Sequence, residues 1–268
     1  MSETDRGKPN TEKRDSGFLS GVRAAISFLT ILPVYGGTLS LTTTSEYMYI
    51  FPVVGCTVGL IAGFSGWLLL HVLPPILSAT VTFGVLLILS GLHDFDGLMD
   101  LGDGLMCKGS AERKIQAMRD TTTGVGGVAF GVIAILLSSL TISYFAPGQI
   151  IFALGAAELN AKFSMTLLAR INKSAAPGSN VYFITAMSGE RGVLRIFLSS
   201  LITLVLAYVL EGGRGIITFV FAIVAVLIVS ILARRHFKGV TGDVFGGANE
   251  LTRLVSLLVL VVLRTSYF

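Results

Sequence analysis

Long apolar stretches alternate with short polar segments along almost the whole chain. Seven of these stretches approach the roughly 20 mostly apolar residues that a helix needs to cross a membrane. They run approximately over residues 47–70, 76–92, 125–145, 150–169, 193–210, 216–232 and 244–263, and the second is the shortest. In lipid, only helices and closed barrels satisfy every backbone hydrogen bond, and these stretches are too long and continuous for barrel strands. The pattern therefore predicts an all-α, polytopic helical membrane protein with about seven transmembrane helices.

Two N-terminal segments stand apart from these seven stretches. Residues 1–16 are polar and mixed in charge, which predicts a disordered tail rather than a signal peptide. Residues 18–34 are apolar but include Arg23 and Pro33, so they suit an interfacial or half-inserted helix as well as a span. Residues 17–268 are thus expected to form a single helical membrane domain.

The composition excludes several classes of protein. Of the 268 residues, 53% are hydrophobic and only 13% are charged, whereas soluble domains carry about 25% charged residues. A soluble enzyme, a disordered chain and a secreted disulfide scaffold are therefore excluded. Cys56 and Cys107 are the only cysteines, and two such residues define neither a disulfide framework nor a zinc site. We also expect no nucleic-acid partner.

Lysine and arginine residues predict the orientation, because short cytoplasmic loops hold the positive excess. If residues 18–34 stay in the interface and the N-terminus is inside, the tail and the loops after the second, fourth and sixth spans share one side. The opposite side then receives only Arg214 and Arg264. This partition predicts a multi-pass protein of the cell membrane whose N-terminus and three basic loops are cytoplasmic.

The densest polar cluster, residues 93–104, begins where the second span ends. On a helix, Asp96, Asp100 and Asp103 would share one face with His93, because the aspartates follow i, i+4, i+7 spacing. Close carboxylates repel one another unless a cation neutralises them, and hard oxygen ligands favour Mg²⁺, Mn²⁺ or Ca²⁺. The spacing predicts that the three aspartates converge on a metal ion. The alternative is a solvated acidic turn at the membrane boundary.

Basic residues and glycines follow this acidic cluster. Four basic side chains occupy the next polar segment: Lys108, Arg113, Lys114 and Arg119. Asp120 and three threonines then lead to Gly124, Gly126 and Gly127 at the start of the third span. Exposed backbone N–H groups at a glycine-rich helix start predict a phosphate-binding site. The alternative is that ordinary positive-inside residues precede a hydroxyl-capped helix.

Two further polar clusters lie at or within the fourth and seventh predicted spans. In chain order they contain Glu158, Asn160, Lys162, Asp243, Asn249, Glu250 and Arg253. Ionisable groups in lipid are costly and usually face an interior cavity, either in pairs or with a function. Glu250 and Arg253 also have the i, i+3 spacing of a structural ion pair, which is the alternative interpretation.

Three motifs occur in order along the chain: DGLMDLGDG at 96–104, MRDTTTG at 118–124 and TGDVFGGANE at 241–250. Together with the less specific FLTILPV at 28–34 and FPVVGCTVG at 51–59, they resemble the cobalamin synthase family, the adenosylcobinamide-GDP ribazoletransferases. The resemblance covers most of the chain. It implies a multi-pass, Mg²⁺-assisted enzyme that joins adenosylcobinamide-GDP to α-ribazole or its 5′-phosphate and releases GMP. A homo-oligomer is compatible with this resemblance.

The resemblance also implies roles for individual residues. Asp96, Asp100 and Asp103 would hold Mg²⁺ on the pyrophosphate, and Asp103 or Asp120 would accept the proton of the attacking hydroxyl. The departing GMP would be balanced by Lys108, Arg113 or Arg119. A wide cytoplasm-facing cavity for the corrinoid is implied, with substrate contacts from Gly124, Glu158, Asp243, Asn249 and Glu250. The chain departs from the family pattern at Asp94, where a histidine is usual, and at Thr122, where a basic residue is usual.

Two alternative functions use the same residues differently. CDP-alcohol phosphotransferases also carry spaced aspartates at a membrane boundary, but Met99 and Asp100 stand where their DGxxAR pattern has Ala and Arg. A cation transporter would use Asp96, Asp100 and Glu158 as an ion pathway. That function predicts carboxylates near mid-span, whereas the densest cluster falls at the end of a span.

Overall fold

A computed structural model describes residues 17–34 and 40–265 of the chain. The predicted tail, residues 1–16, lies outside the described residues. Within the described part the regular secondary structure is helical, apart from one isolated β-bridge between Ser174 and Val240. The all-α fold predicted from the apolar pattern is therefore confirmed.

The described helices follow one another with short connections. In chain order they are α1 (Phe18–Leu29), α2 (Leu41–Glu46), α3 (Phe51–Leu69), α4 (Pro75–Leu89), α5 (His93–Met106), α6 (Ala111–Met118), α7 (Val125–Ile142), α8 (Pro147–Ile171), α9 (Asn180–Ala186), α10 (Gly189–Glu211), α11 (Gly213–Phe237) and α12 (Gly242–Thr265), and a 3₁₀ turn (Met48–Ile50) leads into α3. Among these described helices, six are long and apolar enough to cross a membrane: α3 with its 3₁₀ turn, α7, α8, α10, α11 and α12. A polytopic membrane protein is thereby confirmed.

The second predicted span is shorter than its apolar stretch. Helix α4 ends at Leu89, and α5 starts at His93 after a bend of 97°. Gly91 and Leu92 make this bend with left-handed backbone angles, φ 74° and φ 63°, a conformation that is unusual for leucine. Helices α4 and α5 together form a broken span or a re-entrant pair, so the described residues give six or up to seven crossings.

Helix α1 occupies the segment predicted to be interfacial, half-inserted or spanning. It has 12 residues, or about 18 Å at 1.5 Å per residue, which is too short to cross a hydrocarbon core of about 30 Å. After α1 the chain is extended at Thr30, and the Ile31 N–H donates a hydrogen bond to the Leu89 carbonyl oxygen (3.0 Å). The end of α1 is thereby tied to the bend between α4 and α5.

Helix α8 is the central helix of the bundle, in contact with α3, α10, α11 and α12. It approaches α3 so closely that only glycine fits at Gly55, Gly59 and Gly63 of α3. A Cβ atom at Gly59 would lie 2.3 Å from the Leu154 carbonyl oxygen. Small residues at four-residue spacing are a common means by which membrane helices pack closely.

Charged side chains inside the bundle are paired. Arg253 of α12 donates hydrogen bonds to Glu158 of α8 and to Glu250 of its own helix. Lys162 of α8 donates to Asp94 of α5. Such pairing offsets much of the cost of placing charge in an apolar interior. The ion pair of Glu250 and Arg253, the alternative drawn from their spacing, is therefore present.

Gly59 and Gly84 form a matched pair for testing the helix packing. We expect Gly59→Ala to destabilise the protein by about 1–3 kcal/mol, because the new methyl group overlaps the α8 backbone. A Cβ atom at Gly84 of α4 meets nothing within 4 Å, so Gly84→Ala should leave stability unchanged or raise it by up to about 1 kcal/mol. Thermal unfolding in detergent checks both variants. Equal unfolding midpoints would contradict the packing of α3 on α8.

Candidate functional site

Helix α5 carries the acidic motif, and glycines let it lie directly against two neighbouring helices. A Cβ atom at Gly97 would lie 2.9 Å from the Asp243 carbonyl oxygen and 3.1 Å from the Cα atom of Gly246, both on α12. Towards α7, a Cβ atom at Gly102 would lie 2.9 Å from the Gly126 carbonyl oxygen. Helix α5 is thus held between α7 and α12, and its aspartates are positioned relative to both.

A cavity of about 240 Å³ opens beside α5. Its wall is built from α1, the 3₁₀ turn, α5, α8, α9 and α12, and it combines apolar with acidic side chains. The lining residues with titratable side chains are His93, Asp94, Asp96 and Asp243. The hydroxyl of Thr241 donates a hydrogen bond to Asp243 Oδ2 (3.1 Å) and orients that carboxylate. The first aspartate of the acidic motif and the aspartate of the last motif therefore share one cavity.

Asp100 lies one helical turn beyond Asp96 and is partly buried. The like charges of Asp96, Asp243 and Asp103 all act on Asp100, and the guanidinium of Arg119 acts on Asp243. Negative charge therefore predominates where α5 meets α12. A group of carboxylates of this kind favours binding of a hard cation.

Asp103 is bound to the start of α7. Its carboxylate oxygens accept hydrogen bonds from the backbone N–H groups of Gly124 (2.7 Å) and Gly127 (2.8 Å), which a helix start leaves without partners. Asp103 is thereby directed at α7, and its convergence with Asp96 and Asp100 on one ion stays a prediction. Within residues 17–34 and 40–265, no three His, Cys, Asp or Glu side chains are placed to hold a metal ion together.

The same hydrogen bonds change the interpretation of the glycine-rich segment. Gly124 was expected to offer its backbone N–H to a substrate phosphate, but that N–H binds the protein's own Asp103 carboxylate. A carboxylate satisfies the positive end of the α7 dipole as a phosphate would. The segment thus orients α5 on α7. The Asp103 carboxylate occupies the anion-binding position at the start of α7.

Asp120, the other predicted proton acceptor, lies on an exposed turn and does not line the cavity. Its Oδ1 accepts hydrogen bonds from the hydroxyl (2.6 Å) and the backbone N–H (2.9 Å) of Thr122. These bonds favour the charged form and hold the pKa of Asp120 below its ordinary value. Asp120 is consequently a weaker base than an unperturbed aspartate.

The basic residues after α5 lie on the surface and outside the lining of the cavity. Lys108, Arg113 and Arg119 are all exposed. Arg119 donates a hydrogen bond from Nη2 to the Pro177 carbonyl oxygen (2.8 Å), which ties the segment after α6 to the connection between α8 and α9. Of the three, Arg119 is the one whose charge acts on Asp243.

Three residues predicted to contact substrate lie inside the bundle. Glu158, Asn249 and Glu250 are at most 4% exposed, and none of them lines the cavity. Glu158 and Glu250 are paired with Arg253, and Asn249 Nδ2 donates to Glu250 Oε1 (3.2 Å). The bond between Glu158 and Arg253 joins α8 to α12, whereas the bonds of Asn249 and Glu250 lie within α12.

The sequence does not predict the hydrogen bond that connects the interior of the bundle to the cavity wall. Asp94 on the cavity wall accepts a hydrogen bond from the fully buried Lys162. A lysine within an apolar span signals an acidic partner, but the sequence offers several aspartates and glutamates. Only the bend before α5 brings Asp94 to Lys162.

Comparison with known proteins bears on what this site does. The cobalamin-5-phosphate synthase family matches residues 21–261. An adenosylcobinamide-GDP ribazoletransferase of Methanocella arvoryzae is 33% identical over 252 residues, which cover 89% of this chain and 94% of the relative. A protein of the same name from Methanococcoides burtonii is 31% identical over 261 residues, with 94% and 95% covered. No solved structure matches the chain.

The family match extends from α1 to α12 and so includes every helix that lines the cavity. Relatives at about this identity also cover nearly their whole length. The acidic motif, the bend that precedes it and the last helix all lie within the matched residues. The chain therefore belongs to the cobalamin-5-phosphate synthase family.

Proposed function

We propose that the protein is a membrane transferase that joins adenosylcobinamide-GDP to α-ribazole, or to its 5′-phosphate, and releases GMP. The observation that carries this proposal is the family's acidic motif at a cavity, where Asp96 of α5 and Asp243 of α12 share one wall. The names of the relatives support the same activity. Neither a CDP-alcohol phosphotransferase nor a cation transporter is better supported.

The reaction exchanges one phosphate linkage for another. A ribose hydroxyl of the acceptor attacks the cobinamide-side phosphorus of the pyrophosphate. The bond from that phosphorus to the bridging oxygen breaks, and GMP leaves with the electron pair while the hydroxyl proton passes to a base. Such a displacement needs in-line positioning, neutralisation of phosphate charge and a proton acceptor.

The carboxylates of Asp96 and Asp100 have the chemistry of magnesium ligands. Mg²⁺ prefers oxygen ligands and commonly takes one or two carboxylates, with waters and substrate phosphates as its other ligands. Asp96 and Asp100, one turn apart on α5, would hold it. When bound, the ion supplies charge neutralisation to the pyrophosphate. Asp103 keeps α5 in its orientation through the start of α7.

We assign the proton acceptor to Asp243 rather than to Asp103 or Asp120. A general base must come within hydrogen-bonding reach of the proton that it removes, and only Asp243 of these three lines the cavity. Both other carboxylates already accept two hydrogen bonds from the protein. The charge of the departing GMP would be balanced by the exposed basic residues Lys108, Arg113 and Arg119.

Product formation by the purified protein tests the proposed function. With Mg²⁺, adenosylcobinamide-GDP and α-ribazole, the protein should yield GMP and a cobalamin in equal amounts. A parallel reaction with α-ribazole 5′-phosphate shows which acceptor is preferred. Absence of GMP from both reactions would refute the function, and metal flux into liposomes without GMP release would support a transporter.

Substitution of the α5 aspartates tests the magnesium site. Asp96→Asn and Asp100→Asn should each lower turnover by about 100-fold or more at saturating Mg²⁺, because a ligand charge is lost. Thermal stability should be unchanged or higher, because repulsion among the carboxylates falls. Glu112→Gln, which removes an exposed carboxylate from α6 away from the cavity, is the matched control. Turnover within a few-fold of wild type in both aspartate variants would mean that the cluster only marks the membrane boundary.

We further propose that the basic loops face the cytoplasm across the cell membrane. Three spans, α7, α8 and α10, separate the exposed Ser110 from the exposed Gly213, so the two residues lie on opposite sides. The N-terminus shares the side of Ser110 if α4 and α5 together make one crossing. After replacement of Cys56 and Cys107, an impermeant thiol reagent should label Gly213→Cys but not Ser110→Cys on intact cells. The reverse labelling would overturn this orientation.

A further inference from the structure

Aromatic side chains make up half of the apolar residues on the cavity wall. Among the residues that the structure describes, six with apolar side chains line the cavity: Phe28, Leu29, Met48, Met165, Phe183 and Phe245. The centroid of the Phe183 ring lies 5.1 Å from that of Phe28 and 6.3 Å from that of Phe245. It also lies 6.0 Å from the centroid of Phe51, which is fully buried. These rings belong to α1, α3, α9 and α12, so contacts from several helices hold the Phe183 ring in place.

The volume of the cavity limits what can occupy it. At about 240 Å³, it is smaller than the roughly 300–1,000 Å³ of pockets that enclose drug-sized ligands. A corrinoid macrocycle is larger than this volume, whereas the base of one nucleoside with part of its ribose matches it. The cavity therefore fits one end of one substrate, and the corrinoid lies outside it.

The side chains on the wall distinguish the two bases that take part in the reaction. Three carboxylates line the cavity, those of Asp94, Asp96 and Asp243, and no lysine or arginine is among the described lining residues. Asp94 is paired with Lys162, so Asp96 and Asp243 are the two carboxylates that remain to accept hydrogen bonds from sugar hydroxyls. The edge of guanine carries several hydrogen-bonding groups, and the six apolar side chains of the wall offer these groups no partner. The benzimidazole of α-ribazole is planar and apolar along its outer edge, and its ribose is uncharged.

We propose that this cavity is the acceptor subsite, with the benzimidazole base of α-ribazole against the ring of Phe183 and its ribose beside Asp96 and Asp243. The inference rests on the proposed function, since it takes a ribazole as the acceptor. Contact between a planar base and an aromatic side chain contributes about tenfold or more to affinity. Phe183 is thereby a specificity-determining residue, and the ribose hydroxyls lie where α5 carries the acidic motif.

Binding of α-ribazole to the full-length protein in lipid nanodiscs, without donor, tests this subsite. Phe183→Leu should raise the Kd for α-ribazole about tenfold, and Phe183→Tyr, which keeps the ring, should stay within about threefold of wild type. In the GMP-release assay, Phe183→Leu should raise the KM for α-ribazole equally and leave the KM for adenosylcobinamide-GDP within about twofold.

Phe163→Leu is the matched control. Phe163 is 2% exposed, its ring centroid lies 5.0 Å from that of Phe219, and it does not line the cavity. The control loses a buried ring of the same size, so it should leave both the Kd and the KM for α-ribazole unchanged. Phe28→Leu, at a partly buried position on the same wall, carries the same expectation as Phe183→Leu and replaces it if that variant does not fold.

The outcomes distinguish failure of the proposed subsite from failure of the proposed function. An unchanged Kd for α-ribazole in both Phe183→Leu and Phe28→Leu would overturn the subsite. So would weaker binding of adenosylcobinamide-GDP at unchanged α-ribazole affinity, because the cavity would then hold guanine. If wild-type protein formed no GMP, the proposed function would fail, while α-ribazole binding that depends on Phe183 would still support the subsite.

Discussion

The close approach of α5 to α12 at Gly97 and Gly246 is the constraint on which the rest of the site depends. A Cβ atom at Gly246 would lie 2.8 Å from the Asp94 carbonyl oxygen, so a larger residue would push the two helices apart. This contact places Asp96 of α5 and Asp243 of α12 on one cavity wall. Without it, the acidic motif would be a row of carboxylates on a single helix, with no opposing surface for a substrate.

Buried ion pairs maintain the same arrangement from inside the bundle. Lys162 joins α8 to Asp94 of α5, and Arg253 of α12 joins Glu158 of α8 while also binding Glu250. Removal of one partner from a buried pair leaves an uncompensated charge and typically costs about 3–5 kcal/mol. Helix α8 is therefore the common support of both helices that carry the aspartates. Glu158 and Glu250, which the sequence predicts to contact substrate, both belong to these ion pairs.

Sequence patterns predict the features that depend on one helix at a time. The lengths of the apolar stretches predict most of the spans, and the i, i+3 spacing predicts the ion pair of Glu250 and Arg253. The position of the Asp103 carboxylate depends on two helices. Its spacing from Asp96 puts both on one face of α5, but the N–H groups at the start of α7 bind the Asp103 carboxylate. The bend at Leu92 was equally unpredictable, because leucine rarely adopts a left-handed backbone.

The Mg²⁺ dependence of turnover in Gly246→Ala is the most direct test of whether the contact between α5 and α12 forms the site. A single methyl group at this position should lower kcat/KM by about tenfold or more, because shifts of about 1 Å in a catalytic arrangement are costly. It should also raise the Mg²⁺ concentration required for half-maximal rate, while the protein stays folded and inserted. Gly84→Ala, with open space around the new methyl group, should match wild type in both quantities. Wild-type kcat/KM and Mg²⁺ dependence in Gly246→Ala would contradict the central role of this contact.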